Sequence, residues 1–169
     1  MSYSLYNFVN ELEIQEALDF YLNNAKFSCL TYGDNPLIGL EEFGKTNQVP
    51  EIFRKIRRET ILKNSFQDWF SCKEVEDFVI CIDEGHHLPE HADLLKDINA
   101  DTYRHVRANW IISAPEDGGH IITEEGVCLP KVNEIHFINA KKNHSVTTVV
   151  GKTPLIIYSF GFIKKESNV

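Results

Sequence analysis

Hydrophobic spacing divides the chain into a helical first part and a β-rich remainder. Asn10 can cap a helix over residues 11–23, in which Leu12, Ile14, Ala17, Leu18 and Tyr21 fall near i, i+3, i+4 spacing. Residues 27–32 read as a strand, and Gly33-Asp34-Asn35-Pro36 after it is dense in turn formers. Pro50 suits the first turn of a second helix, which runs through Ile52, Phe53, Ile56 and Ile61 to about Asn64. Its Lys55, Arg57 and Arg58 are expected on a solvated face. From Asp77 the pattern changes to short apolar runs separated by turns. Strands are expected over 78–82, 104–113, 120–123, 127–129, 133–138, 145–150 and 155–163, with Gly118-Gly119 as a reversal. So many strands at nearly regular intervals predict a mainly β barrel or sandwich such as a jelly roll, with the N-terminal helices packed on one outer sheet.

With 169 residues the chain is expected to be one domain: 1–76 a helical buttress with the first strands, 77–163 the β core. Seventeen basic against 25 acidic side chains leave a net charge of −8, which disfavours a nucleic-acid partner. No run of 18 apolar residues and no basic segment at the N-terminus is present, so a cytoplasmic protein without a membrane partner is expected. Cys29, Cys72, Cys81 and Cys128 form no Cys-x-x-Cys pair, which argues against a thiolate zinc site. Their apolar flanks predict buried, reduced thiols.

One set of residues spells out a specific metal chemistry. His91 and Asp93 flank Ala92, so on an extended segment both side chains leave the same face, and His144 lies far downstream. Two imidazoles and a carboxylate can cap one face of a metal octahedron and leave the other open, as in non-haem Fe(II) oxygenases. An alternative set drawn from His87 and His91 is disfavoured because Pro89 prevents the helix that would bring them together. His86 points to the other face of an extended chain, His136 sits in a strand, and His120 is expected at a loop tip.

The strand around Arg107 carries a second signal. His105, Arg107 and Asn109 alternate with Val106, Ala108 and Trp110, so the polar three share a face. The continuation Ile111-Ile112 predicts burial on both sides, where a guanidinium needs a carboxylate partner. A bound dicarboxylic acid would supply one.

Three short motifs, Leu88-Pro89-Glu90-His91-Ala92-Asp93, Arg107-Ala108-Asn109-Trp110-Ile111-Ile112 and Asn143-His144-Ser145-Val146, together resemble the aspartyl/asparaginyl β-hydroxylase group of 2-oxoglutarate and Fe(II)-dependent oxygenases. The bacterial free-proline hydroxylases, which share that fold, are similar too. The resemblance covers residues 78–163 and implies a double-stranded β-helix, cupin-like, with the metal at its mouth. It implies Fe(II) held by His91, Asp93 and His144, with 2-oxoglutarate as co-substrate. Dioxygen would then hydroxylate an amino acid, peptide or other small molecule, with release of succinate and CO2. Asp93 stands where some relatives have Gly, which favours an active catalyst. In the group a basic residue after the distal His grips the far carboxylate of 2-oxoglutarate. Lys152, eight positions after His144, is one candidate, although the group more often has Arg about ten positions on. Arg107, supported by Asn109, is the competing anchor, since Lys lacks the bidentate fork of Arg.

Two other classes share part of this pattern. A cupin-like metal-binding protein without oxygenase activity, such as an isomerase or small-molecule binder, would leave Arg107 exposed and Lys152 remote from the metal. A metal-free interaction module would place His91 and Asp93 on a surface loop. The loops over 34–47, 94–101 and 114–119 would select the substrate, and none carries a readable motif.

Overall fold

The computed structural model describes residues 2–4, 9–25, 30–45, 47–69, 76–96 and 102–166. In chain order its elements are β1 (Ser2–Ser4), α1 (Glu11–Asn24), β2 (Leu30–Tyr32), β3 (Asn35–Gly39), α2 (Leu40–Gly44), α3 (Glu51–Lys63), β4 (Phe78–Ile82), β5 (Leu88–His91) and β6 (Tyr103–Ser113). There follow β7 (Asp117–Gly118), β8 (Ile121–Thr123), β9 (Gly126–Cys128), β10 (Glu134–Asn139), β11 (His144–Val146), β12 (Val149–Val150) and β13 (Leu155–Lys165). A large sheet of order β1-β10-β6-β13-β4-β3-β2 and a small sheet of order β5-β11-β8-β9 are both antiparallel throughout, and β12 and β7 form a short ribbon. From β4 onward the chain passes repeatedly between the two sheets. This is the expected double-stranded β-helix.

Alternation along the long strands sorts the two faces of the large sheet. Ala108, Trp110 and Ile112 of β6 and Ile156, Tyr158, Phe160 and Phe162 of β13 face the helices, where Ala17, Phe20 and Tyr21 of α1 and Ile52, Phe53 and Ile56 of α3 cover them. Phe53 is edge-on to Tyr158, with ring centroids 4.9 Å apart, and to Phe20 at 5.4 Å. Cutting it back to Ala would cost about 3–5 kcal/mol. The other face carries Ile80, Ile82, Ile111, Ile138 and Ile157, which meet Ile121 and Val146 of the small sheet and fill the space between the two sheets.

Local chemistry explains the element ends. Asn10 accepts from the Glu13 amide and Glu13 reaches back to the Asn10 amide, each at 3.0 Å, a complete capping box for α1. Gly118 has φ +70°, and a Cβ there would lie 2.0 Å from the Thr148 carbonyl oxygen, so only glycine fits this reversal.

Several expectations need correction. Leu12 is 82 % exposed, because α1 presents Ala17, Phe20 and Tyr21 to the sheet instead. Pro50 caps α3 rather than opening it. Arg57 does not join a solvated face: it is half-buried, pairs with Asp77 at 2.5 Å and donates to the Gly161 carbonyl. Lys55 ties α3 to α1 through Glu13, also at 2.5 Å, while Arg54 and Arg58 remain exposed. Strands β1, β3, β5 and β7 and the short helix α2 have no counterpart among the expected elements, and the strand expected over 145–150 breaks at Thr147-Thr148. Of the strand expected over 27–32, residues 27–29 lie outside the described residues. So do Cys29 and Cys72; Cys81 is a buried thiol and Cys128 a half-buried one. Among the described residues no helix is long and apolar enough to cross a membrane.

Candidate metal centre

The small sheet sets two of the three ligands side by side. His91 ends β5 and His144 opens β11, and the two are direct partners in the antiparallel register. Their rings lie 4.2 Å apart between centroids. Asp93, just past β5, is fixed by its amide donating to the Ala140 carbonyl at 2.7 Å. One ligand atom from each of His91, Asp93 and His144 can be chosen so that all lie within 4.8 Å of one another. That spread suits a single ion bound at about 2.0–2.2 Å from each donor.

The protonation pattern also suits a metal. His91 Nδ1 lies 2.8 Å from the Pro89 carbonyl and His144 Nδ1 lies 2.9 Å from the Lys142 carbonyl. A carbonyl only accepts, so each Nδ1 is the donor, which leaves Nε2 as the nitrogen that would ligate a metal. Those Nε2 atoms face the carboxylate of Asp93, 3.7 Å from Oδ1 for His91 and 3.9 Å from Oδ2 for His144. Burial lowers the pKa of His144, which favours the neutral, ligating imidazole.

Arg107 is buried and points into the barrel together with His105 and Asn109, the face that alternation predicts. Its carboxylate partner belongs to the protein: Nε donates to Asp93 Oδ2 at 2.9 Å, and Nη1 reaches Ser159 Oγ at 3.3 Å and the Glu76 carbonyl at 3.4 Å. His105 Nδ1 lies 3.1 Å from the Asp93 carbonyl, so Asp93 is gripped by side chain and backbone from the same strand. Burial, with the Arg107 charge beside it, pushes the His105 imidazole down to about 4.

The triad opens onto a cavity of about 130 Å³ between the sheets. Arg107, Asn109 and Ser159 form its polar wall. Apolar side chains, including Ile80, Leu88, Ile121, Ile138, Val146 and Ile157, make the rest, and Tyr32 stands at 4.8 Å, ring to ring, from His91. A larger, more open concavity of about 510 Å³ lies at α3 on the helix side of the large sheet. Its half-buried Asp77 is already satisfied by Arg57 and by the Tyr158 hydroxyl at 2.9 Å, and none of the ligand cluster lines it.

The structure therefore brings together His91, Asp93, His144, Arg107 and Asn109, and leaves Lys152 apart. Lys152 is exposed in the turn before β13, outside the cavity lining. That turn faces outward because Thr153 bonds Glu116 through both its amide and its hydroxyl. His86 and His87 are exposed and His136 is buried in β10, all outside the ligand cluster. Sequence reasoning missed Tyr32 and Ser159. Ser159 had a signal, as the one small polar side chain in the apolar run of the last strand.

No protein-family model and no curated protein matches the sequence. Solved structures do. The viral collagen prolyl hydroxylase vCPH from Paramecium bursaria Chlorella virus-1, in its 2-oxoglutarate complex, superposes with a TM-score of 0.66 at 14 % identity, over 99 % of this chain and 96 % of that one. A Pseudomonas putida prolyl-4-hydroxylase gives 0.64 at 13 % identity, over 98 % and 93 %. HygX from Streptomyces hygroscopicus, with nickel, 2-oxoglutarate and hygromycin B bound, gives 0.63 at 12 % identity, over 95 % and 82 %. The chain thus has the fold of the 2-oxoglutarate-dependent oxygenases along nearly its whole length.

Proposed function

We propose that this protein is a 2-oxoglutarate and Fe(II)-dependent oxygenase that hydroxylates an amino acid, peptide or other small molecule. The observation that carries the reading is the convergence of two imidazoles and a carboxylate on a cavity whose wall holds a buried arginine. His91, Asp93 and His144 would hold the Fe(II), and their set of two nitrogens and one oxygen suits it. Bound iron with 2-oxoglutarate supplies oxidative decarboxylation to succinate and CO2, coupled to hydroxylation by dioxygen.

The chain's own residues position and shield. Pro89 and Lys142 carbonyls fix the two ring tautomers, and Arg107 and His105 hold Asp93. Arg107, with Asn109 and Ser159 beside it on the polar wall, is the group we assign to a carboxylate of the co-substrate. The apolar wall keeps water from the centre, and Tyr32 flanks the approach to His91. Among relatives in fold, one is a collagen prolyl hydroxylase and one holds hygromycin B, so the fold serves peptide and small-molecule substrates alike. A reducing, cytoplasmic setting belongs to the proposal, in keeping with the free thiols of Cys81 and Cys128.

Purified protein supplied with Fe(II), ascorbate and 2-oxoglutarate should form succinate slowly even without its substrate, and His144→Ala should not. Metal binding without succinate above the no-enzyme control would favour the non-oxygenase cupin.

A further inference from the structure

The cavity beside the triad is charged at one end only. Arg107 is its single cationic lining residue among the described residues, and three of its contacts are already made, to Asp93, Ser159 and the Glu76 carbonyl. Polarity then falls off inward in register. Asn109 on β6 stands opposite Ser159 on β13, two residues in from Arg107. One step further, Ile157 stands opposite Ile80 on β4. The small sheet repeats the gradient: from the His91 and His144 pair the next inward positions are Leu88, Val146 and Ile121. At about 3.4 Å per residue, the apolar positions Val146 and Ile121 begin some 7 Å along the strand from His144, in the cavity onto which the triad opens.

A 2-oxo acid chelating the metal must send its tail along this gradient. The second carboxylate of 2-oxoglutarate must share Arg107 with Asp93 and Ser159, take the Asn109 amide of the same polar wall, or lose its hydration among isoleucines. An alkyl tail meets no such conflict and gains from burial. We propose that the cavity admits 2-oxo acids ending in an apolar branched chain, such as 4-methyl-2-oxopentanoate, with an affinity comparable to that for 2-oxoglutarate. The proposal rests on the oxygenase reading above and names the class of co-substrate for the same site.

Anaerobic titration of the Fe(II)-loaded protein with three acids tests it, followed by the metal-to-ligand charge-transfer band and, independently, by calorimetry. Pyruvate shares the chelating end and has almost no tail. The branched acid should bind within about tenfold of 2-oxoglutarate and at least about tenfold more tightly than pyruvate. Ile157→Lys, which sets a cation in the inner layer, should move the preference toward 2-oxoglutarate by about tenfold or more. Because the wild-type comparison decides alone, a poorly folding variant does not rescue the idea. A wild-type preference for 2-oxoglutarate above tenfold, or a branched acid no better than pyruvate, overturns this inference and leaves the oxygenase reading standing. Binding of none of the three acids to iron-loaded protein overturns both.

Discussion

Arg107 Nε donates to Asp93 Oδ2 at 2.9 Å, so the cation of the cavity wall is bonded to the carboxylate of the ligand set. The contact orients Asp93 before any metal arrives, and it makes the arginine's role double. Arg107→Ala should lower Fe(II) affinity by about tenfold to a hundredfold, the usual cost of removing the partner of a ligand. It should also weaken 2-oxoglutarate binding. Lys152→Ala, on an exposed turn, should leave both within about twofold, since an exposed charge contributes about 0–1 kcal/mol. Anaerobic titration of the two variants gives the order. Loss of 2-oxoglutarate binding in Lys152→Ala alone would sink the assignment of Arg107.

The triad itself makes a sharper demand. His91→Ala and His144→Ala should each abolish binding of a divalent transition metal at micromolar concentration, because two remaining ligands hold Fe(II) poorly. His87→Ala and His136→Ala should retain it, their side chains lying outside the cluster. Metal analysis of protein purified without chelators reads the result, and full occupancy in both triad variants would show that the ions sit elsewhere.

What the sequence made legible is what short-range periodicity encodes. Period-two spacing put His91 and Asp93 on one face and grouped His105, Arg107 and Asn109, and both groupings stand in the structure. Register between distant strands left no such trace. The pairing of His144 with His91, and the meeting of Ser159 with Arg107, depend on how the sheets close. Lys152 shows the limit of counting along a chain: eight positions after His144 it already departs from the spacing of about ten usual in the group, and the bonds from Thr153 to Glu116 decide where the turn faces. The need of a buried Arg107 for a carboxylate is legible in its strand, but that Asp93 meets it is set by tertiary packing. Leu12 failed for a simpler reason, as helical periodicity identifies a face only to within a residue or so when apolar positions are many.

Acid should destabilise the metal-free protein before its carboxylates titrate. The folded His105 imidazole titrates at about 4 against 6.5 for the free group, and burial shifts His136 and His144 in the same direction. Between those values the unfolded chain binds more protons than the folded one, so stability rises with pH in that window. It is complete above about pH 6.5 and is lost as pH falls toward 4, by about 3 kcal/mol for His105 alone. Urea unfolding at pH 7 and pH 5 with chelator present measures the slope. His105→Asn, whose amide can still donate to the Asp93 carbonyl, should flatten it. A wild-type midpoint unchanged between the two pH values would refute the assignment.

The hairpin of β2 and β3 is tied to the metal centre through one buried amide. Asn35 is 2 % exposed, and its Nδ2 donates to the His87 carbonyl at 3.0 Å and to the Tyr32 carbonyl at 3.2 Å. It thereby clamps the loop entering β5 to the residue whose ring lies against His91. Asn35→Ala should cost about 1–3 kcal/mol of stability, the penalty for unpaired buried acceptors. Metal affinity should change little, because His91 keeps its own bond to the Pro89 carbonyl. Asn35→Ala should also slow succinate formation by loosening Tyr32, and Tyr32→Ala, which removes the ring directly, should slow it too. If Asn35 acts on turnover by placing Tyr32, the double variant should be no slower than Tyr32→Ala, whereas independent sites would give additive effects. A double-mutant cycle on the rate of succinate formation decides, and full additivity would mean that the hairpin contributes stability without positioning Tyr32.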